Sequence, residues 1–468
     1  MRRLALPLAL PVLALVAAGC SSSGSSGPTT LRTDSGGPSQ SAGTASTPHA
    51  GTALTNWPTY HRTTGRSGVA RASISLPLHH GWTANLDGAV YGEPLVVNGT
   101  LIVATENDSV YGLNPTTGHR KWRTHLATPE SQSNIQHDQP GCGDVFPLGI
   151  TGTPAYDAAT GSVFVVTDSN GGHHKLWALN AATGARRWHK STDLLPSRDR
   201  IAEQQRSALL VADGRVFTTY GGLSGDCGNY VGYITSTATN GKGKTTHYAV
   251  PTAREAGMWS PAGPVEGPNH NIYVASGNGA EESGKWDKSD SVTELSPKSL
   301  HRISVYAPKT WKQDNIQDLD LGSSSPVPVD GRIVIAGKRG TVYLLHPTFK
   351  GVGHAIASLH NCDSYGGAAH DGRTVVMPCR GGVQALRVTK HSLHWLWSSG
   401  DYSSPVIAGK RVFVADPDSG DLDVLSLSTG HVVASIGVGS LTHFPSEVID
   451  GKWVYVPTLN GITALHGS

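Results

Sequence analysis

Five cysteines carry the most specific chemistry in this 468-residue chain. Cys20 ends the string Ala-Ala-Gly-Cys, where small residues suit a processing peptidase and the thiol suits acylation. Cys142, Cys227, Cys362 and Cys379 form an even set that can pair by oxidation outside the cytoplasm. Two acidic runs, "QDLDLG" (317–322) and "DPDSGDLD" (416–423), could offer oxygens to a hard cation such as calcium. Carboxylates alternating through a connection read first as a solvated turn. Gly277-Asn278-Gly279 could cradle a phosphate only ahead of a helix, and no helical pattern follows it. The 22 histidines are scattered, with no Ser-His-Asp grouping and no His-Glu-x-x-His spacing. Neither a catalytic residue nor a metal-ligand set is expected.

The start of the chain reads as a targeting device. Arg2 and Arg3 precede an apolar run from Leu4 to Val16 that is too short to span a bilayer. With its cysteine placed after small residues, the segment resembles a bacterial lipobox, although Ala17 stands where leucine is usual. Residues 1–19 are therefore read as a lipoprotein signal peptide. Residues 20–55 are read as a lipidated cysteine on a Ser/Gly-rich tether that cannot bury a core. The chain is expected to be exported and held by lipid on the outer face of the cell membrane, or on an outer membrane if the host has one. Lys and Arg number 37 against 35 Asp and Glu, so losing Arg2 and Arg3 leaves a formally neutral chain. No basic stripe is present, which argues against nucleic acid.

Residues 56–468 are organised by repetition. Eight short phrases alternate apolar residues in the period of a half-buried strand. They begin at Val110, Leu176, Val231, Val292, Val342, Val383, Leu422 and Ile462. Turn dipeptides such as Asn98-Gly99, Asp330-Gly331, Asp371-Gly372 and Asp450-Gly451 mark a hairpin before a phrase. A further strand follows, carrying Trp122, Trp188 or Trp395. Units of four strands and about 40 residues are propeller blades. The eighth phrase lies too near the C-terminus to have a fourth strand, and "GWTANL" (81–86) has the register to supply it. The expected fold is all-β: an eight-bladed propeller whose last blade is completed by the N-terminal strand.

"VYGLNPTTGHRKW" and "LWALNAATGARRW" resemble the tandem repeat of pyrroloquinoline-quinone (PQQ)-like propellers, and "NWPTYHRTTGRSG" (56–68) resembles the segment that leads into them. The resemblance covers Asn56 to the C-terminus. It implies the fold, and it implies two kinds of function. Some such propellers are quinoprotein dehydrogenases, with PQQ under a disulfide of adjacent cysteines and a calcium held by carboxylates. Others are envelope lipoproteins, including one of the outer-membrane barrel assembly machinery. This chain has no Cys-Cys dipeptide. A cofactor is accordingly not expected, and PQQ with calcium remains the alternative.

Blade order also selects a cysteine pairing. Cys362 and Cys379 fall at neighbouring strand ends of blade six, while Cys142 and Cys227 fall in connections that emerge on one face. That face carries the long segments 127–148, 221–229, 277–291 and 307–321, the usual place for recognition on a rigid scaffold. The innermost strands are expected to begin with Tyr91, Thr151, Trp259, Ser324, Tyr365, Tyr402 and Phe444, which should ring the axial channel. Tyr91, Trp259, Tyr365, Tyr402 and Phe444 are the candidate binding residues at its mouth. The functional expectation is a monomeric, non-catalytic binding or scaffold protein for a protein or cell-envelope polymer. The alternative is a quinoprotein oxidoreductase of unusual type.

Overall fold

Alternation of apolar residues makes every blade a strand set buried on both faces, so neighbouring sheets share their cores. The computed structural model describes residues 56–400 and 403–468; Cys20, the signal peptide, the tether and Tyr402 lie outside them. Eight antiparallel sheets follow one another along the chain. Blade one shows the pattern: Leu95–Val97, Thr100–Thr105, Ser109–Leu113 and Arg120–His125, from the axis outward. The third strand is fully buried, whereas the fourth alternates exposed and half-buried residues at the rim. Asn98 (φ 47°) and Gly99 (φ 72°) turn the first hairpin left-handed, the conformation that matches the strand twist.

The ring closes as the sequence predicts. Leu78–Asn85 pairs antiparallel with Gly461–Gly467 as the outer strand of blade eight, with Trp82 opposite Ala464. Closure removes the open edge that would otherwise pair with other chains.

The recurring glycine has a packing reason. Trp82, Trp122, Trp188 and Trp397 stand on outer strands of blades eight, one, two and six, opposite Ala464, Gly112, Ala178 and Ala385. Each ring lies over a turn glycine of the next blade: a Cβ on Gly118 would meet Trp82 at 2.5 Å, and one on Gly184 would meet Trp122 at 2.4 Å. Gly241 and Gly430 receive Trp188 and Trp397 in the same way. A side chain there would expel the ring, and these turns also have positive φ. The pairing adds two details of register. The docking residue of blade six is Trp397; Trp395 instead donates to the His360 carbonyl of blade five, because a bulge interrupts the pairing between Ala385 and Leu386. In blade three the third strand is Tyr233–Ala238, and Ser236 opposes Phe217 as Ala178 opposes Phe164 in blade two, so the phrase starts at Ile234 and not at Val231.

Blade-to-blade connections carry the irregular structure. A short helix α1 (Gln132–Asp138), capped by the Ser131 side chain, lies between blades one and two. Helix α2 (Trp311–Gln317) lies between blades four and five. Cys142 and Cys227 are bonded, with Cα atoms 6.2 Å apart, and join the α1 connection to the blade-three loop. Gly143 N–H also donates to the Ser224 carbonyl across them. A loop of that length makes the bridge worth about 4–5 kcal/mol in chain-entropy accounting. Cys362 and Cys379 are bonded across blade six, with Cα atoms 4.9 Å apart.

Candidate functional site

The lead-in segment, residues 56–70, enters the propeller axis and blocks it. Trp57 pairs its backbone with Val96 of blade one, and Tyr156 of blade two donates to the Pro58 carbonyl. Arg66 donates to the Leu209 and Pro264 carbonyls of blades three and four. Glu266, His370 and Ile407 donate to Thr64, Ser67 and Gly68. At the tip Tyr60 is 2% exposed and packs on Ala208 and Ala262, where larger residues would collide. Gly367 has the same role, since a Cβ there would meet the Tyr60 hydroxyl at 2.5 Å. Beside it the Glu93 carboxylate accepts from Trp57 Nε1 (2.5 Å), His61 N–H (2.9 Å) and Ser446 Oγ (2.6 Å). Ser446 also meets His61 Nε2 at 3.1 Å, while His61 Nδ1 lies 3.1 Å from the Ala368 carbonyl. Burial lifts Glu93 to about 8 and lowers His61 to about 3. All four side chains are buried, so this network serves as a floor and not as a nucleophile–base pair facing substrate.

Above the floor the same entry segments form an open cup. Along each one a residue at or beside the cup wall precedes its floor contact by two or three positions: Tyr91 before Glu93, Arg206 before Ala208, Trp259 before Ala262, Tyr365 before Gly367, Phe444 before Ser446. The hollow is about 520 Å³, and Trp259, Tyr365, Phe444, Arg206, Lys338 and His443 are among its walls. Tyr365 and Phe444 stack at 5.9 Å with planes 6° apart, and Trp259 lies 6.5 Å from Phe444. Tyr91 joins through His443, ring to ring at 5.2 Å. Thr151 and Ser324 do not line the cup; both are buried, their hydroxyls donating to Glu106 and to the Ala336 carbonyl.

Charge in the cup comes from residues outside the sequence-predicted ring. Lys338 Nζ is 2.8 Å from both Asp318 and Asp320; burial alone would lower its pKa, and these carboxylates hold it above its ordinary value. Trp259 Nε1 donates to Asp320 at 3.3 Å. Burial and then Arg206 lower His443 to about 4, so it is neutral at pH 7 beside Asp144. Arg206 is only 7% exposed, lying 5.6 Å from the Tyr91 ring centre and 5.4 Å from that of Phe444. Counting back four residues from the first strand of blade three, Leu210–Ala212, lands on Arg206. The same count reaches Tyr91, Thr151, Tyr365 and Phe444 in their blades. Arg206 fills the blade-three place in the ring, for which the sequence offered no residue.

The acidic and glycine-rich motifs are engaged within the fold. Asp416 accepts from Asp418 N–H and Ser419 Oγ in its own turn, and Asp318 and Asp320 hold Lys338. Gly277 N–H donates to the Gly257 carbonyl, Asn278 N–H to Asp320 and Gly279 N–H to Asn315, which leaves no free donors for a phosphate cradle. Among the described residues no three Asp, Glu, His or Cys side chains are grouped to hold a metal ion.

Fold, repeat and closure define the class: this is an eight-bladed β-propeller similar to the PQQ-like propellers, with one end of its axis plugged. A family model described as the outer membrane protein assembly factor BamB matches residues 80–222. No curated protein matches the chain. Among solved structures, a quinohemoprotein alcohol dehydrogenase from Comamonas testosteroni is 17% identical at a TM-score of 0.69, over 88% of this chain and 81% of that one. BamB from Moraxella catarrhalis is 16% identical at 0.56, over 84% of this chain and 98% of that one. A europium-containing methanol dehydrogenase is 14% identical at 0.66, over 88% and 98%. At these identities the likeness is one of fold.

Proposed function

We propose that the chain is a non-catalytic binding propeller, exported and held to the membrane by lipid on Cys20, that engages a protein or cell-envelope polymer through its loop face. The observation that carries this reading is the plugged axis, which leaves a blind aromatic cup open only towards the stapled long loops. A rigid scaffold displaying large loops around a concave aromatic site suits recognition. The matching family model describes an assembly factor, which also favours binding over turnover.

The quinoprotein alternative draws on the dehydrogenase-like fold and on Trp259, a ring on which a planar quinone could stack. Three features weigh against it. The disulfide near the cup joins residues 85 apart in sequence, the carboxylates at 318 and 320 are committed to Lys338, and no three-ligand metal group is present among the described residues.

Photo-crosslinking in whole cells tests the binding reading. A benzophenone residue at Asp144 or Asp318, on the loop face, should give a discrete adduct, while one at Asn98, on the opposite face, should not. Equal labelling from both faces, or none from the loop face, would sink the proposal. Cys20→Ser in the same strain should appear in the medium or accumulate unprocessed; membrane fractionation like that of the parent would refute the anchor.

A further inference from the structure

Arg206 is a buried cation that the protein leaves largely unsatisfied. Its guanidinium has five N–H donors. Among the described residues the single hydrogen bond from it runs from Nη2 to the His443 carbonyl at 3.3 Å, and no carboxylate lies within ion-pair distance. Lys338, across the same hollow, has two carboxylates at 2.8 Å. Aromatic rings pack on the guanidinium, Asp144 and Glu106 act on it only from beyond ion-pair distance, and Arg206 lines the cavity. A fixed planar fork of this kind suits a carboxylate, which it can grip with two parallel hydrogen bonds.

The surroundings narrow the ligand further. Four carboxylates, on Asp144, Asp226, Asp318 and Asp320, also line the hollow. They disfavour a phosphate ester or a polycarboxylate more than a ligand with a single negative charge, for which the contact with Arg206 has less repulsion to overcome. A second hollow of about 380 Å³ shares the walls Tyr365, His443 and Phe444 with the first and is bounded on its other sides by residues that include Arg380, Asp416 and Pro417. A plugged floor and two adjacent hollows sharing aromatic walls offer room for several residues of an extended chain, which advances about 3.3 Å per residue.

The geometry points to a receptor for polypeptide C-termini: a free α-carboxylate seats on Arg206, its apolar or aromatic final residue packs against Trp259 and Phe444, and the preceding residues occupy the second hollow. This rests on the binding reading above and names the chemistry of its partner.

The test compares a fluorescent hexapeptide ending in phenylalanine with the same peptide as its C-terminal amide, by anisotropy, on the full chain solubilised in detergent. The free acid should bind roughly 10- to 100-fold more tightly than the amide, as expected for a charge-assisted contact. Arg206→Gln should abolish that preference and Arg206→Lys should keep part of it, with circular dichroism confirming that both variants fold. The acid-against-amide comparison on the unmodified protein stands even if neither variant folds. Equal binding of acid and amide, or no binding of either at millimolar concentration, overturns the inference. Equal affinity for N-acetylphenylalanine alone overturns the polypeptide part and leaves a small carboxylate as the ligand. A loop-face crosslink in cells without peptide binding would fell this inference alone; peptide binding without any crosslink would fell the binding reading in cells.

Discussion

The two ends of the propeller axis are lined by the same entry segments, yet they are built to opposite rules. At the plugged end the lining is small, Ala208, Ala262 and Gly367, and Tyr60 fills the space they leave. The polar groups there close on one another, as Glu93 does with Trp57, His61 and Ser446. At the open end the lining is large and aromatic, and Arg206 keeps donors in reserve. Two or three residues along a segment separate the rules. A buried polar network is stable only when its members are satisfied, so the difference separates a part that holds the ring together from a part kept ready for a ligand.

The largest expected effect comes from removing the plugged end altogether. Deleting residues 1–56 should leave a soluble, folded propeller. Deleting 1–86 removes both the plug and the closing strand, exposes the edge of Gly461–Gly467, and should give aggregated protein. Equal solubility and melting temperature for the two truncations would mean that neither plug nor closure matters.

Single substitutions sharpen the contrast. Tyr60→Ala should empty a fully enclosed site and cost about 3–5 kcal/mol in urea unfolding. Tyr365→Ala, half-buried at the mouth and stacked on Phe444, should cost about 1 kcal/mol. If the two lose equal stability, the floor and the mouth are not mechanically different.

The smallest effect is a pH slope. Burial lifts Glu93 from 4.5 to about 8, so the native state keeps a proton that the unfolded chain has released, and stability falls as pH rises through that range. His61, lowered from 6.5 to about 3, acts in the opposite sense, and only below 6.5. Between pH 6.5 and 8 Glu93 therefore removes up to about 2 kcal/mol. Glu106, lifted to about 8, adds a slope of the same sign. Glu93→Gln should flatten the curve of stability against pH in that window without abolishing it. An unchanged slope would show that Glu93 is ionised in the folded protein across the window.

Much of this was legible before the fold was known. Alternation, turn dipeptides and the spacing of the eight phrases report local geometry, and local geometry repeats faithfully in sequence. From them followed the strands, the blade count, the closing segment at Trp82 and a cysteine pairing consistent with blade order. The start placed at Val231 shows the limit of local pattern, because apolar residues just ahead of a strand look like part of its ladder until the pairing is known. What only the tertiary structure decided lies on the axis. That the lead-in segment enters the channel, that Tyr60 meets Ala208, Ala262 and Gly367, and that Arg206 faces Phe444 across 238 positions of chain all depend on where entry segments of unequal length converge. Periodicity records which side of a strand faces a core. It holds no record of which residues from different blades meet at the centre of the ring, because the ring sets those distances only once it has closed.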